Sequence, residues 1–129
     1  MYLITVEGGD GSGKGEAVRI LGNIANRMAF PNVHITHEPR RHSELGKLAL
    51  DSVMKGDKPP LEEAGLFAAD RLDHSHTIIK PLLDKGQVVI SDRNIHSSLI
   101  YQGIVGDLGI EDVVKMNSAA MIPDLVIWI

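Results

Sequence analysis

Seven consecutive residues, Gly8-Gly9-Asp10-Gly11-Ser12-Gly13-Lys14, carry the clearest chemistry in the chain. Glycines let the backbone curl until several amides point at one spot, and a lysine at the end of the run can reach an anion gathered there. The spacing Gly-x-x-x-x-Gly-Lys predicts a loop that cradles a polyphosphate, provided that it joins a strand to a helix whose positive N-terminal end adds to the site. Outside that context the same run is a plain turn followed by a solvated lysine. A Ser or Thr is expected straight after the lysine, to put a hydroxyl on Mg²⁺, but Gly15 and Glu16 follow instead. Any metal would need another hold, with Glu16 or Asp92 acting through water as the candidates.

Other residues read as partners of such a loop. Phe67 and Arg71 are four apart, so on a helix they share a face and can offer a flat ring and a forked donor to one planar ligand. A core phenylalanine beside a surface arginine is the plainer reading. Arg41 follows a proline turn after an apolar run, from where a guanidinium can grip a phosphate bidentately or simply be solvated beside Arg40. Asp92 and Arg93 end another apolar run; they form a structural ion pair, or they serve a phosphate site, Asp92 through Mg²⁺-bound water and Arg93 by bridging two phosphates. His74 and His76 are two apart on a predicted helix, point in different directions and read as surface histidines rather than metal ligands.

The elements that must position these residues alternate. A β-rich run at 2–7 leads into the glycine loop, and Val18, Leu21, Ala25 and Met28 mark one face of a helix from Lys14 to Met28. Val33 to His37 reads as a second strand, parallel to the first, entered through Pro31-Asn32 and left through Pro39. Helices are predicted over 43–54 and 61–85, the latter started by Pro59-Pro60, kinked by Pro81 and stopped by Gly86. A third strand at 87–92 brings Asp92 and Arg93 to a carboxyl end, where open parallel sheets bind ligands. Helical stretches at 97–102 and 111–121 precede a last apolar run, 125–129.

At 129 residues the chain is expected to hold one domain. A net charge of −4 and a pI near 5.8 give no electrostatic case for a nucleic-acid or anionic-membrane surface and favour small anionic ligands. The lack of cysteine excludes disulfides, thiolate metal sites and cysteine nucleophiles. With no apolar run of membrane-spanning length and no signal segment before the first strand, a soluble cytoplasmic protein is expected.

Several motifs together resemble the thymidylate kinase family, P-loop enzymes that phosphorylate thymidine monophosphate (dTMP) with ATP. They are Val6 to Lys14; the turn Glu38-Pro39-Arg40-Arg41; Leu66-Phe67-Ala68-Ala69-Asp70-Arg71; Ser91-Asp92-Arg93 followed by Ser97-Ser98-Leu99-Ile100-Tyr101-Gln102-Gly103; and Pro123-Asp124-Leu125. The turn departs from the common Arg-Glu-Pro-Gly form, with His37 in place of the first arginine and Arg40 in place of glycine. The resemblance implies an α/β P-loop NTPase fold of three layers, α/β/α, around a parallel sheet, with residues 1–129 as the kinase core. A lid and a C-terminal portion typical of the family would lie beyond it, so the fold reads as truncated at the C-terminus.

The resemblance also implies roles. Gly8, Gly9, Asp10, Gly11, Ser12, Gly13, Lys14, Gly15 and Glu16 would surround the ATP phosphates; Lys14, Arg93 and Asp92 would serve catalysis, with Asp92 near Mg²⁺. The acceptor dTMP would meet Asp10, Arg41, Phe67, Arg71, Arg93, Ser97, Tyr101 and Gln102: Phe67 stacked on thymine, Arg71 on its carbonyl, Arg41 on the phosphate, Asp10 on the 3′-hydroxyl and Tyr101 against the deoxyribose. ATP and dTMP are the expected ligands, Mg²⁺ the cofactor and a homodimer the expected assembly. A kinase for another nucleoside monophosphate, or a weakly active nucleotide-binding relative with a regulatory role, stays open as an alternative.

Overall fold

The computed structural model describes residues 2–28 and 32–129. Among the described residues four strands, β1 (Tyr2–Glu7), β2 (Val33–His37), β3 (Val88–Asp92) and β4 (Leu125–Trp128), form one all-parallel sheet in the order β2-β3-β1-β4. The second strand is parallel to the first as expected, but β3 lies between them. Side chains alternate across the sheet and build a core on each face. Val6, Val88 and Ile90 pack with Val18 of helix α1 (Lys14–Arg27) on one side. Leu3 and Val89 pack with Ile79, Leu82 and Leu83 on the other. The result is the expected three-layer α/β/α arrangement.

Helix α2 (Glu44–Lys55) starts on Ser43, whose Oγ accepts from the Gly46 amide at 3.0 Å, and stops at Gly56 in the left-handed region. Gly46 is required there because a Cβ would be driven into the Arg40 carbonyl; its absence lets α2 dock against the Arg40-Arg41 turn. Helix α3 (Pro60–His74) continues through a π-helical turn, Ser75–Ile79, into α4 (Lys80–Asp84). The kink expected at Pro81 thus takes the form of a wider turn just before it, which accommodates a residue that cannot donate a backbone hydrogen bond. The helix expected at 97–102 is longer, α5 (Ile95–Ser98) running into a second π-helical stretch, Leu99–Val105. That expected at 111–121 is shorter, α6 (Ile110–Met116), because Asn117 turns its amide back onto the Val113 carbonyl at 2.8 Å.

Asp124 pins the last strand by taking the Leu3 amide on its carboxylate and giving its own amide to the Leu3 carbonyl, both at 2.8 Å. The carboxyl ends of β1, β3 and β2 come side by side, with Asp92 opposite both Val6 and His37. The Pro31 expected to lead into β2 lies outside the described residues. No helix among the described residues is long and apolar enough to cross a membrane.

Candidate active site

The glycine run leaves the carboxyl end of β1 and enters α1, the order that its chemistry needs. Gly11 (φ 74°) and Gly13 (φ 96°) sit in the left-handed region that side chains disfavour, so glycine is what lets the loop close. Gly8 sits close to Ser12 Oγ and the Ile129 carbonyl, whereas Gly9 and Gly15 face open space. The N-cap of α1, Gly13, has no side chain to cap the first turn, which leaves its amides open to an anion.

Lys14 leans over the loop with Nζ 4.0 Å from Asp92 Oδ1, a contact too long for a hydrogen bond, and that oxygen is buried without a hydrogen-bond partner. Ser12 Oγ is likewise buried and unpartnered. Glu16, by contrast, is exposed and paired with Arg19 on the outer face of α1 at 3.0 Å; the guanidinium holds its carboxyl below the usual range. Its side chain is therefore turned to a partner other than the loop.

Arg93 is strained into φ 73° and held from three sides. Nη1 donates to Ser97 Oγ and Nη2 to Asp10 Oδ1, each at 3.1 Å, and the guanidinium lies 5.6 Å from the centre of the Tyr101 ring. The alternative of an Asp92–Arg93 ion pair is not what forms: Asp10 takes Arg93, and Asp92 is left to Lys14. Behind Ser97 stands the buried Glu7, which accepts from Ser97 Oγ at 2.6 Å and from the Asn94 amide at 2.8 Å. Glu7 so joins the end of β1 to the start of α5.

Beyond Arg93 opens a cavity of about 470 Å³. Its wall contains all eight residues expected to meet the acceptor: Asp10, Arg41, Phe67, Arg71, Arg93, Ser97, Tyr101 and Gln102. Phe67 and Arg71 do share the inner face of α3. Gln102 is buried with Oε1 unpartnered. Arg41 is exposed and makes no hydrogen bond or ion pair among the described residues, while neighbouring Arg40 is fully engaged with Asp70 (Nε–Oδ1 2.8 Å) and Asp73 (Nη2–Oδ2 2.7 Å). Burial disfavours the Arg40 charge, but the hydrogen bonds to Asp73 and Asp70 outweigh it and hold its pKa above the ordinary value. Arg40 therefore braces the turn and Arg41 remains free for a ligand. A larger recess, about 710 Å³, runs along β2 and reaches Gly15 in the first turn of α1, Asp92 at the end of β3 and Arg41 in the turn after β2.

Arg71 is neither a surface arginine nor a loose one. It is buried, with Nε donating to Glu38 Oε1 at 2.8 Å and Nη1 to Ser98 Oγ at 3.0 Å and Asn117 Oδ1 at 2.8 Å. His74, expected at the surface, is also fully buried, 2.8 Å from Glu38 Oε2 and 2.7 Å from Thr36 Oγ1; His76 is exposed as expected. Burial alone would raise the Glu38 pKa, but the charge of Arg71 and the hydrogen bond from His74 together hold it below the usual carboxylate range. Sequence reasoning gave no role to Glu7, Glu38, Asn94, Ser98 or Asn117. For Glu7 and Glu38 a signal existed, since one carboxylate ends β1 and the other follows β2 directly, at the edge where ligands bind.

No group of three or more His, Cys, Asp or Glu side chains suited to a metal occurs among the described residues. Mg²⁺ fits the site differently: it keeps several waters and is held by one or two carboxylates together with substrate phosphates, which suits a lone Asp92 oxygen with a vacant lone pair.

A family model described as thymidylate kinase matches residues 6–129. Among curated proteins, the chain is 44% identical to the probable thymidylate kinase of Pyrococcus horikoshii, over 98% of this chain and 63% of that one. It is 41% identical to the probable thymidylate kinase of Thermococcus onnurineus, over 97% and 64%. The crystal structure of thymidylate kinase from Ehrlichia chaffeensis superposes with a TM-score of 0.86 at 31% identity, covering 99% of this chain and 74% of that one. The chain thus spans a little under two thirds of the length of these curated relatives. The match of the family model over residues 6–129, with relatives and a solved structure of the same name, shows that the chain belongs to the thymidylate kinase family.

Proposed function

We propose that residues 1–129 form the P-loop core of a dTMP kinase, which moves the γ-phosphoryl group of ATP to the 5′-phosphate of thymidine monophosphate and yields dTDP and ADP. The observation that carries this reading is the cavity of about 470 Å³, whose wall gathers Phe67, Arg71, Tyr101, Gln102 and Arg41 and reaches Asp10 of the glycine loop and Arg93 just after β3. The acceptor is already an anion, so no strong base is needed. The task is to hold two mutually repelling phosphates in line and to offset the charge that spreads between them.

The loop amides and Lys14 take the ATP phosphates, and Arg41 takes the acceptor phosphate. Arg93 reaches across the two; its partner Asp10 is fully exposed, so releasing that bond to meet a phosphate costs little. Phe67 stacks on the thymine ring and Arg71 donates to a ring carbonyl, while Gln102 offers an unpartnered carbonyl oxygen. Asp10 meets the 3′-hydroxyl, and Tyr101, stacked under Arg93, lies against the deoxyribose and disfavours a 2′-hydroxyl. Asp92 would hold the Mg²⁺ that travels with ATP through water, where the ion offsets phosphate charge; Gly15 adds no ligand. The working protein is a cytoplasmic homodimer in this reading.

A coupled ADP-release assay on the full-length protein with ATP and Mg²⁺, comparing thymidine, uridine, cytidine, adenosine and guanosine monophosphates, tests the proposal. Thymidylate-selective release is expected, and Lys14→Ala should abolish most turnover in a folded protein. Release with a different monophosphate would make the chain a kinase for that acceptor. ATP binding with no release from any acceptor would make it a nucleotide-binding relative without turnover.

A further inference from the structure

We propose that Glu38 is a positioning residue that sets acceptor selectivity, by fixing Arg71 so that one N–H of its guanidinium faces the cavity and favours a pyrimidine with a carbonyl, over one with an amino group, at that edge. The inference rests on the acceptor site proposed above. It follows from a count of donors. An arginine side chain has five N–H groups and no acceptor. In Arg71 the Nε–H goes to Glu38 at 2.8 Å, and the two on Nη1 go to Ser98 at 3.0 Å and Asn117 at 2.8 Å. Nη2 makes a long contact of 3.4 Å to the Asn94 carbonyl, which leaves one N–H on Nη2 for a ligand.

Three separate elements supply those acceptors: the turn after β2, helix α5 and the end of α6. Only Glu38 among these acceptors is charged, and it is held at backbone and side chain alike. Its own amide donates to the Asp92 carbonyl at 3.0 Å, which fixes its backbone to β3. Its second oxygen is 2.8 Å from His74 Nδ1. An ionised carboxylate only accepts, so Nδ1 carries the proton, and Nε2 on the far side meets Thr36 Oγ1 at 2.7 Å. The carboxylate is therefore locked at both oxygens, and the guanidinium plane with it.

Glu38, Phe67, Arg71 and Ser98 all line the same cavity. A fixed donor in a buried site accepts a carbonyl oxygen and meets an exocyclic amino group donor to donor, leaving both unsatisfied. A loosened arginine could turn away from that amino group, so the discrimination depends on the lock rather than on the arginine alone. Glu38 also stands three residues before Arg41 in the turn after β2. One side chain so ties the base-reading arginine to the turn that bears the phosphate-binding one.

The test compares kcat/KM for dTMP and dCMP, together with the KM for ATP, in the full-length wild-type protein, Glu38→Gln and Glu38→Asp. Glu38→Gln keeps the shape but loses the charge that holds Nε; Glu38→Asp keeps the charge but withdraws it by one methylene. Each variant is checked for folding by circular dichroism. The dTMP-to-dCMP ratio should fall at least tenfold in Glu38→Gln and by a smaller factor in Glu38→Asp, with the ATP KM within about twofold of wild type. If Glu38→Gln does not fold, the fall in Glu38→Asp carries the test. A folded variant that keeps the wild-type ratio, or loses dTMP, dCMP and ATP efficiency alike, overturns the positioning role. A wild-type protein with no preference for dTMP over dCMP overturns the acceptor reading beneath it.

Discussion

Replacing Arg93 by glycine and by alanine separates what this residue does for the reaction from what it costs the fold. Its φ of 73° is the left-handed region, where a residue with a Cβ is disfavoured by roughly 1–2 kcal/mol. Both substitutions delete the same side-chain contacts, to Ser97, Asp10 and the Tyr101 ring. Ser97 keeps Glu7 as an acceptor, so neither leaves that hydroxyl unpaired. The difference between the two variants is then the backbone alone. Glycine relieves the strain but loses more entropy on folding, and the net advantage is about 1 kcal/mol, or a midpoint about 3–5 °C higher for a chain of this size. Function should move the other way from strain relief. Two charge-assisted hydrogen bonds to phosphate, worth about 1.5–3 kcal/mol each, correspond to a loss of about 10²- to 10⁴-fold in turnover for both variants. Urea or thermal melts and the ADP-release assay read the two quantities. Near-normal turnover in either variant, or an alanine variant at least as stable as the glycine one, would refute the reasoning.

Phe67→Ala should weaken dTMP binding by about 10- to 100-fold, the usual loss on removing an aromatic that stacks on a base, while ATP affinity measured by calorimetry stays put; equal losses would count against stacking. Gly15→Ser fits without strain, since nothing lies within 4 Å of an added Cβ. It should lower the Mg²⁺ concentration for half-maximal activity severalfold, and an unchanged requirement would mean that Asp92 and the nucleotide already suffice. Glu38 adds an acid-linked term to stability. Because its folded pKa is held below the ordinary 4.5, the stability it contributes is complete above that pH and is lost as pH falls through the folded value. Wild type should therefore lose stability below pH 4.5 more steeply than Glu38→Gln, by up to about 1.4 kcal/mol per pH unit, and parallel acid melts would remove this role.

The parts of this protein that were legible from the chain are those that local chemistry dictates. The run from Gly8 to Lys14 needs φ values that glycine supplies, so its composition announces its shape. Tyr2–Glu7 and Val88–Asp92 are apolar runs bounded by breakers, and Pro60 marks a helix start by its own φ restraint. Phe67 and Arg71 could be paired because helix geometry fixes what a spacing of four means.

What tertiary structure decided is where charges go when they leave water. The sequence pattern makes Arg71 and His74 polar residues on a helix, and such residues default to the surface. They are buried because Glu38, more than thirty residues earlier, meets them at 2.8 Å on each oxygen. Asp92 and Arg93 are neighbours in the chain, yet Arg93 turns to Asp10 and Asp92 to Lys14, since the left-handed backbone at Arg93 sends the two side chains apart. Helix α6 stops at Asn117 because that amide is shared between Val113 and a distant guanidinium. A buried ion is stable only if partners from other segments converge on it, and that convergence is a property of the packed fold rather than of any window of sequence.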